Sequence, residues 1–564
     1  MSPKPRPLAL HPKQSSRRSF LTLTALTAAG VPVVAGCRLS RAGSGGGGGA
    51  GSSGAASPAP DGWQDLDGHL LGHRVSVRVS PLVRVSEEAT ALVLELTRAA
   101  DDAAVADVQS SESGSDDSDN TVYASTSLGR PLPARGASGV RLIDTAGAGR
   151  VWTAGSASGG TLELKPGETV SSTVVFAPVD LDEVTVLVPQ TGFVRVRVID
   201  RDAAADVGVS SEALGKADKI IQDNSGPGDK AAVVPLERYT RALDDSTGTR
   251  TTDKDVTVTL ASDVTFDSDS YNLTAAADAQ LQTVADQIAQ YPDGGNLDIV
   301  GHTDDVADNA HNQTLSENRA GTVKDRLGQL ADLAKWQITT TGKGETEPAI
   351  NDTTDEARAA NRRVAITITP TSGTTTQPGT PNSATPSAPP TSDTGLPDAQ
   401  GPVSTGPDGV TLNGPDTRGG GQITVTLDHV TRNGGLLLGQ LTVTTGPGGT
   451  GNPFLSAWLT DSSVLLANSR GETGGIEAIG ASSGLTLLAD GQRVYPADYL
   501  PPDIDRHRPL TEQTLTSALK EGATTTVCVV WPDTGQDTVT LDHPGGRFDD
   551  GYAFRLTDIP VITA

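Results

Sequence analysis

One stretch of this chain occurs twice. Leu164-Lys165-Pro166-Gly167, a Val/Thr-rich run to Phe176 and then Val184-Thr185-Val186 align without gaps onto Leu519-Lys520-Glu521-Gly522, a run to Trp531 and Val539-Thr540-Leu541. Arg150-Val151-Trp152 likewise matches Arg493-Val494-Tyr495. Such a repeat means either one supersecondary unit built twice or two generic hairpins that converged, and both readings stay open at this level. Around the first copy, β-rich runs at 73–79, 91–96, 139–143, 169–176, 184–188 and 193–199 are separated by turn residues. They predict an all-β sandwich of immunoglobulin-like type over 62–205, and the second copy predicts another over 421–564. In this register Cys528 falls opposite Thr173 within a strand, as a small buried or half-buried residue.

Between the copies the pattern changes. Val256, Val258 and Leu260 keep the two-residue period of a strand, whereas Leu273, Ala277, Leu281, Val284 and Ile288 keep to one helical face, which Pro292-Asp293-Gly294-Gly295 terminates. A strand over 297–300 leads into Gly301-His302-Thr303-Asp304. A helix with Leu315, Val323, Leu327 and Leu330 inward follows, then a strand near 338–341 and a last strand in which Val364, Ile366 and Ile368 alternate. Residues 252–370 therefore read as an α/β sandwich with helices on one sheet face, and the whole chain as multidomain α+β. The Pro/Thr/Gly/Ser-rich stretch 371–420 reads as a linker, and 206–251 as a connector with a short helix near 214–221.

The first residues read as an address. Ser16-Arg17-Arg18-Ser19-Phe20-Leu21 resembles a twin-arginine export signal, and Val34-Ala35-Gly36-Cys37 resembles a bacterial lipobox. The apolar run between them is shorter than the roughly 20 residues of a spanning helix, so residues 1–36 are expected to be a cleaved signal peptide. Cys37 is then the lipidated residue, and two acyl chains on it suffice for stable membrane anchoring. Cys528 is the one other cysteine, which leaves no disulfide framework. A Gly/Ser-rich tether over 37–61 has a reach on the order of 25–30 Å. The formal charge of −26 excludes nucleic acid as a partner. The acidic stretch 101–120 lacks an ordered calcium-loop pattern and reads as a solvated loop. Scattered histidines, the absence of paired metal-ligand cysteines, and the lack of a nucleophile elbow or phosphate loop predict a non-catalytic protein with no cofactor and no metal.

Within 252–370 several motifs occur together: Phe266-Asp267 with Leu273, Gly301-His302-Thr303-Asp304, Asn312 before Leu315-Ser316, Arg319-Ala320, Gly342-Lys343-Gly344 and Asn361-Arg362-Arg363-Val364. In this combination the segment resembles the OmpA-like peptidoglycan-binding family. The resemblance covers roughly a fifth of the chain and implies noncovalent binding of the diaminopimelate residue of the stem peptide, with Asp304 and Arg319 at the positions family members use. Ala307 stands where a glycine is usual, and His311 replaces an aromatic. The residues themselves support a charged receptor. Arg319 lies in the helical row of Leu315, Val323 and Leu327, where an unpaired charge is costly, so it requires a partner. That partner is either Asp304, in a structural salt bridge, or a ligand carboxylate, with Asp304 then taking the ligand ammonium. Asn312 either bonds the ligand or caps the helix, Arg363 or its neighbour supports the pocket or enters the strand solvated, and His302 is a strand-end histidine rather than a base. The expected location is extracytoplasmic, lipid-anchored and wall-associated, with a protein or glycan as the further partner of the β-sandwiches.

Overall fold

The computed structural model describes residues 59–109, 115–116, 119–128, 136–145, 149–223, 231–351, 353–374, 396–413, 421–447, 482–502, 507–510, 519–545 and 552–563. The leader, Arg17, Arg18, Cys37 and most of the tether lie outside these residues. Among them, no helix is long and apolar enough to cross a membrane.

The first repeat consists of β1 (Gln64–Leu70), β2 (His73–Val79), β3 (Leu82–Ser86), β4 (Ala89–Arg98), β5 (Arg141–Ile143), β6 (Arg150–Thr153), β7 (Thr169–Phe176), β8 (Glu183–Val188) and β9 (Gly192–Asp200). Strict alternation in β2, with Val75, Val77 and Val79 buried and the residues between them exposed, fixes which face turns to the core. β1, β2, β4 and β7 pair antiparallel in that order. β3 lies beside the start of β4 and runs parallel to β9, which leads on through β8 and β5 to β6.

The connector is structured. Helix α1 (Ser211–Asp223) starts where Ser210 Oγ accepts from Ala213 N at 3.2 Å, and its Ala213, Leu214 and Ala217 pack on the outer face of the first repeat against Val83, Val93 and Val175. β10 (Ala232–Pro235) adds to the edge of β6. The hairpin of β11 (Arg238–Ala242) and β12 (Thr247–Thr251) enters the central domain.

That domain contains β13 (Val256–Ala261), α2 (Ala277–Ala289), β14 (Gly295–Gly301), α3 (Asn309–Leu330), β15 (Trp336–Gly342), α4 (Asp355–Asn361) and β16 (Arg363–Pro370). Its sheet runs β15-β14-β16-β13-β12-β11, with only β14 and β15 parallel. Leu281, Val284 and Ile288 of α2 and Ala320, Val323 and Leu327 of α3 cover one face, meeting Val258, Leu297, Ile299 and Ile366 in a core of their own.

The second repeat follows as β17 (Val410–Asn413), β18 (Gln422–Thr426), β19 (Val430–Asn433), β20 (Leu436–Thr445), β21 (Thr486–Ala489), β22 (Gln492–Val494), β23 (Thr524–Pro532), β24 (Thr538–His543) and β25 (Phe554–Thr563). The pairings among those nine strands of the first repeat recur: β17, β18, β20 and β23 in antiparallel order, β19 beside β20 and parallel to β25, then β24, β21 and β22. The registers recur too. Thr173 faces Val93 as Cys528 faces Gln440, and Leu66 faces Val77 as Val410 faces Val425. Traced the other way, Leu82 faces Val198 as Val430 faces Val561, and Val83 faces Ala91 as Thr431 faces Leu438. Both routes make Ala91 the counterpart of Leu438, a closure that two converged hairpins would not produce.

Two sequence expectations require correction. The second repeat begins before 421, because β17 pairs with β18 and a short strand Val403–Thr405 pairs with β25; glycines and prolines around these short runs disguised them as linker. The match of Arg150-Val151-Trp152 to Arg493-Val494-Tyr495 is one residue out of register. Leu142 faces Trp152 whereas its counterpart Leu487 faces Val494.

The repeats are not independent bodies. The outer face of the second, with Leu436, Leu438, Cys528 and Val530, packs against Ile143, Leu187, Val234 and Leu236 of the first repeat and its edge. The equivalent face of the first repeat is the one α1 covers. β11 also pairs with β22, so one sheet continues from the central domain into the second repeat.

Candidate functional site

The site forms where β14 and β15 end side by side, Gly301 opposite Gly342. A Cβ on Gly301 would meet the Ser316 carbonyl oxygen at 2.2 Å, and one on Gly342 would meet the Glu317 nitrogen at 2.5 Å. The two glycines let α3 lie directly across the strand ends, which brings the helix face with Arg319 close to the loop with Asp304. The loop is pinned at both sides: His302 N donates to Arg363 O at 2.9 Å and Thr303 N to Gly344 O at 2.9 Å.

Asp308 caps α3, its Oδ1 accepting from Ala310 N at 3.1 Å and His311 N at 2.9 Å. Asn312 therefore caps nothing. Its buried amide nitrogen lies 3.1 Å from Asp304 O, 3.2 Å from Ala307 O and 2.7 Å from Glu345 Oε2, and so clasps the loop from inside.

Arg319 is 4% exposed. Its guanidinium carbon sits 5.1 Å from the centre of the Phe266 ring, and Nε donates to Ser270 O at 2.9 Å. Among the described residues it forms no ion pair. Burial pulls its pKa below the ordinary arginine value, against the opposing fields of Asp263, Asp269 and Asp304. The salt bridge with Asp304 that the sequence allowed is not made.

Asp304 pairs with Arg362. Arg362 Nη1 donates to Asp304 Oδ2 at 2.7 Å, while its Nε and Nη2 grip both oxygens of Asp263 at 2.7 and 2.6 Å. The two-pronged bond to Asp263, with help from Asp304, raises the Arg362 pKa against the cost of burial. The other Asp304 oxygen accepts only a 3.3 Å bond from Val306 N among the described residues. Arg363, singled out from the sequence, points elsewhere: it donates to Glu347 O at 3.2 Å and Asn361 O at 3.5 Å, and burial lowers its pKa to about 10. Successive residues entering a strand face opposite ways, so only one of the Arg362-Arg363 pair could reach Asp304, and it is the first. Asp263, Phe266 and Ser270 complete the surroundings. The Phe266-Asp267 motif signalled that this segment mattered, but nothing in it marked Asp263 as the anchor of Arg362.

Two carboxylates, Asp263 and Asp304, thus face two guanidiniums, Arg362 and Arg319, with three of the four bound to one another. The arrangement has an acceptor oxygen with spare capacity beside a buried cation whose terminal nitrogens lack a counter-ion among the described residues. His302, close by, is held neutral. Burial first, and then Arg363, lower its pKa to about 4, and its Nδ1 has no hydrogen-bond partner among the described residues.

Comparison with known proteins falls on the same stretch. The OmpA family model matches residues 265–362. Outer membrane porin F of Pseudomonas fluorescens is 38% identical over 106 residues, 19% of this chain and 32% of that protein. Lipoprotein YfiB of Escherichia coli K12 is 32% identical over 110 residues, 20% of this chain and 68% of that protein. A solved structure, the cell wall anchor of the T6SS from Pseudomonas aeruginosa, is 30% identical, with 21% of this chain and 82% of that one covered at a TM-score of 0.18. The chain spans about a third of the porin F relatives. Through its central domain, the chain belongs to the OmpA family.

Proposed function

We propose that this chain is a non-catalytic lipoprotein of the cell envelope that binds peptidoglycan noncovalently through the diaminopimelate residue of its stem peptide, tying membrane to wall. The observation that carries this reading is Arg319, buried, oriented by Ser270 and Phe266, and without an ion pair among the described residues. A ligand carboxylate supplies the missing partner through two parallel hydrogen bonds. The ligand ammonium takes the Asp304 oxygen that Arg362 leaves open. Asn312 and Arg363 act in this reading as positioning residues, one holding the Asp304 loop and the other the 347–361 rim. The name of lipoprotein YfiB supports membrane attachment, here through Cys37 after twin-arginine export directed by Arg17 and Arg18. The two repeats, read as immunoglobulin-like sandwiches, form the body that carries the wall-binding domain.

The test is sedimentation with purified wall. Charge-assisted hydrogen bonds contribute roughly 1.5–3 kcal/mol each, so Arg319→Ala or Asp304→Ala weakens binding about tenfold to a hundredfold, with unchanged melting as the control. The double variant loses less than the sum, because both residues grip one ligand. Wild-type sedimentation by a folded Arg319→Ala protein rules the site out.

A further inference from the structure

A cleft of about 520 Å³ opens along the seam between the two repeats, and neither Asp304 nor Arg319 lines it. Strands β1 and β9 of the first repeat and β19, β20 and β23 of the second line it. Its volume is within the range of small-ligand sites. The partly buried Phe193 provides apolar surface, while Asp67, Asp428, His429 and Gln440 provide hydrogen-bonding groups around it.

The repeat itself shows that this lining is unusual. In the first repeat, Val83 and Val93 lie under α1. Their counterparts in the second repeat are Thr431 and Gln440, which line the cleft, with Thr442 two residues on. The same outer face therefore stays apolar where the first repeat covers it, at Leu436 and Val530, and carries Thr431, Gln440 and Thr442 where the cleft leaves it open, with Asp428 just ahead of β19. The cleft's arginine, Arg195, is already paired with Glu183. Asp67 and Asp428 repel anions. Burial lowers the pKa of His69, against the opposing field of Asp102.

We propose that this cleft binds a neutral oligosaccharide. A sugar ring presents an apolar C–H face to Phe193 and a rim of hydroxyls that both donate and accept, which matches carboxylates, an amide, an imidazole and threonine hydroxyls. The site is separate from the stem-peptide site and does not depend on it.

Calorimetry on the full chain with chitotetraose, cellotetraose, maltotetraose and mannotetraose, and with tetralysine as the cationic control, tests the assignment. At least one tetrasaccharide binds with a micromolar-to-millimolar Kd and tetralysine does not. Phe193→Ala weakens that binding about tenfold or more, and Gln440→Ala about threefold to tenfold. Gln440 is exposed, so its variant keeps the test decisive if Phe193→Ala disturbs the seam. Arg319→Ala leaves saccharide binding unchanged. Failure of all four sugars to bind at about 10 mM, binding of tetralysine in their place, or unaltered affinity in the Gln440→Ala protein overturns the proposal.

Discussion

Arg319 is where packing and charge conflict. It occupies a core-facing row of α3 beside Ala320 and Val323, yet no described residue forms an ion pair with it, and Asp263, Asp269 and Asp304 act on it only through their fields. An uncompensated buried charge costs free energy, and in the proposed function a ligand carboxylate offsets that cost. The sequence made this residue legible because its helical row could be counted. It could not show that Asp304 would go to Arg362, since that depends on which way two adjacent arginines turn as they enter β16. Asn312 was legible as important and not as to its role, because helix capping is decided by the residue whose backbone leaves the helix, and that is Asp308. His302 gives a pH prediction. Its pKa is about 4 in the fold against 6.5 for an ordinary histidine, so above 6.5 both folded and unfolded chains are neutral there. As pH falls below that value the unfolded chain gains a proton that the folded chain refuses, and stability declines until about pH 4. Urea denaturation of wild type at pH 7.5 and 5 should show the loss, and His302→Gln should flatten that slope. An equal slope in both proteins would mean that other groups set it.

At the scale of elements, period-two runs such as β2 and β13 and the apolar faces of α2 and α3 could be read directly, because burial on one face imprints its period on the sequence. β1, β3 and β17 could not. They are short, or interrupted by glycine and charge, and they hold their places by pairing with longer strands. The repeat shows how one outer face can be covered in two ways, by α1 in the first copy and by the first copy itself in the second. Cys528 lies on that covered face, and burial pushes its thiol up to about 12, with the backbone at Gln190 and Thr191 pulling the other way. It should therefore resist iodoacetamide in native buffer at pH 8 and react fully in denaturant. Mass spectrometry that finds rapid native labelling would show that the seam opens. Leu438, on the same face, buries enough apolar surface to contribute about 1.5–3 kcal/mol, so neither repeat is expected to keep its full stability when excised.

For the whole molecule, the seam between the repeats and the sheet that continues from β11 into β22 make the central domain a fixed part of a larger body. The sequence, read as separate domains joined by linkers, could not reveal this, because contacts between distant segments leave no periodic trace. In the proposed arrangement that body hangs from the membrane by Cys37. Cys37→Ala should move the protein from the membrane fraction to the soluble fraction once the wall is digested, and continued sedimentation with membranes would contradict lipid anchoring. The central claim, that Arg319 awaits a ligand carboxylate, is tested most directly by calorimetry on the full chain with two stem peptides, one containing diaminopimelate and the other lysine, which lacks the side-chain carboxylate. The account predicts that the diaminopimelate peptide binds about tenfold to a hundredfold more tightly and that Arg319→Ala removes the preference; equal affinity for the two peptides, or a preference that survives in a folded Arg319→Ala protein, would contradict it.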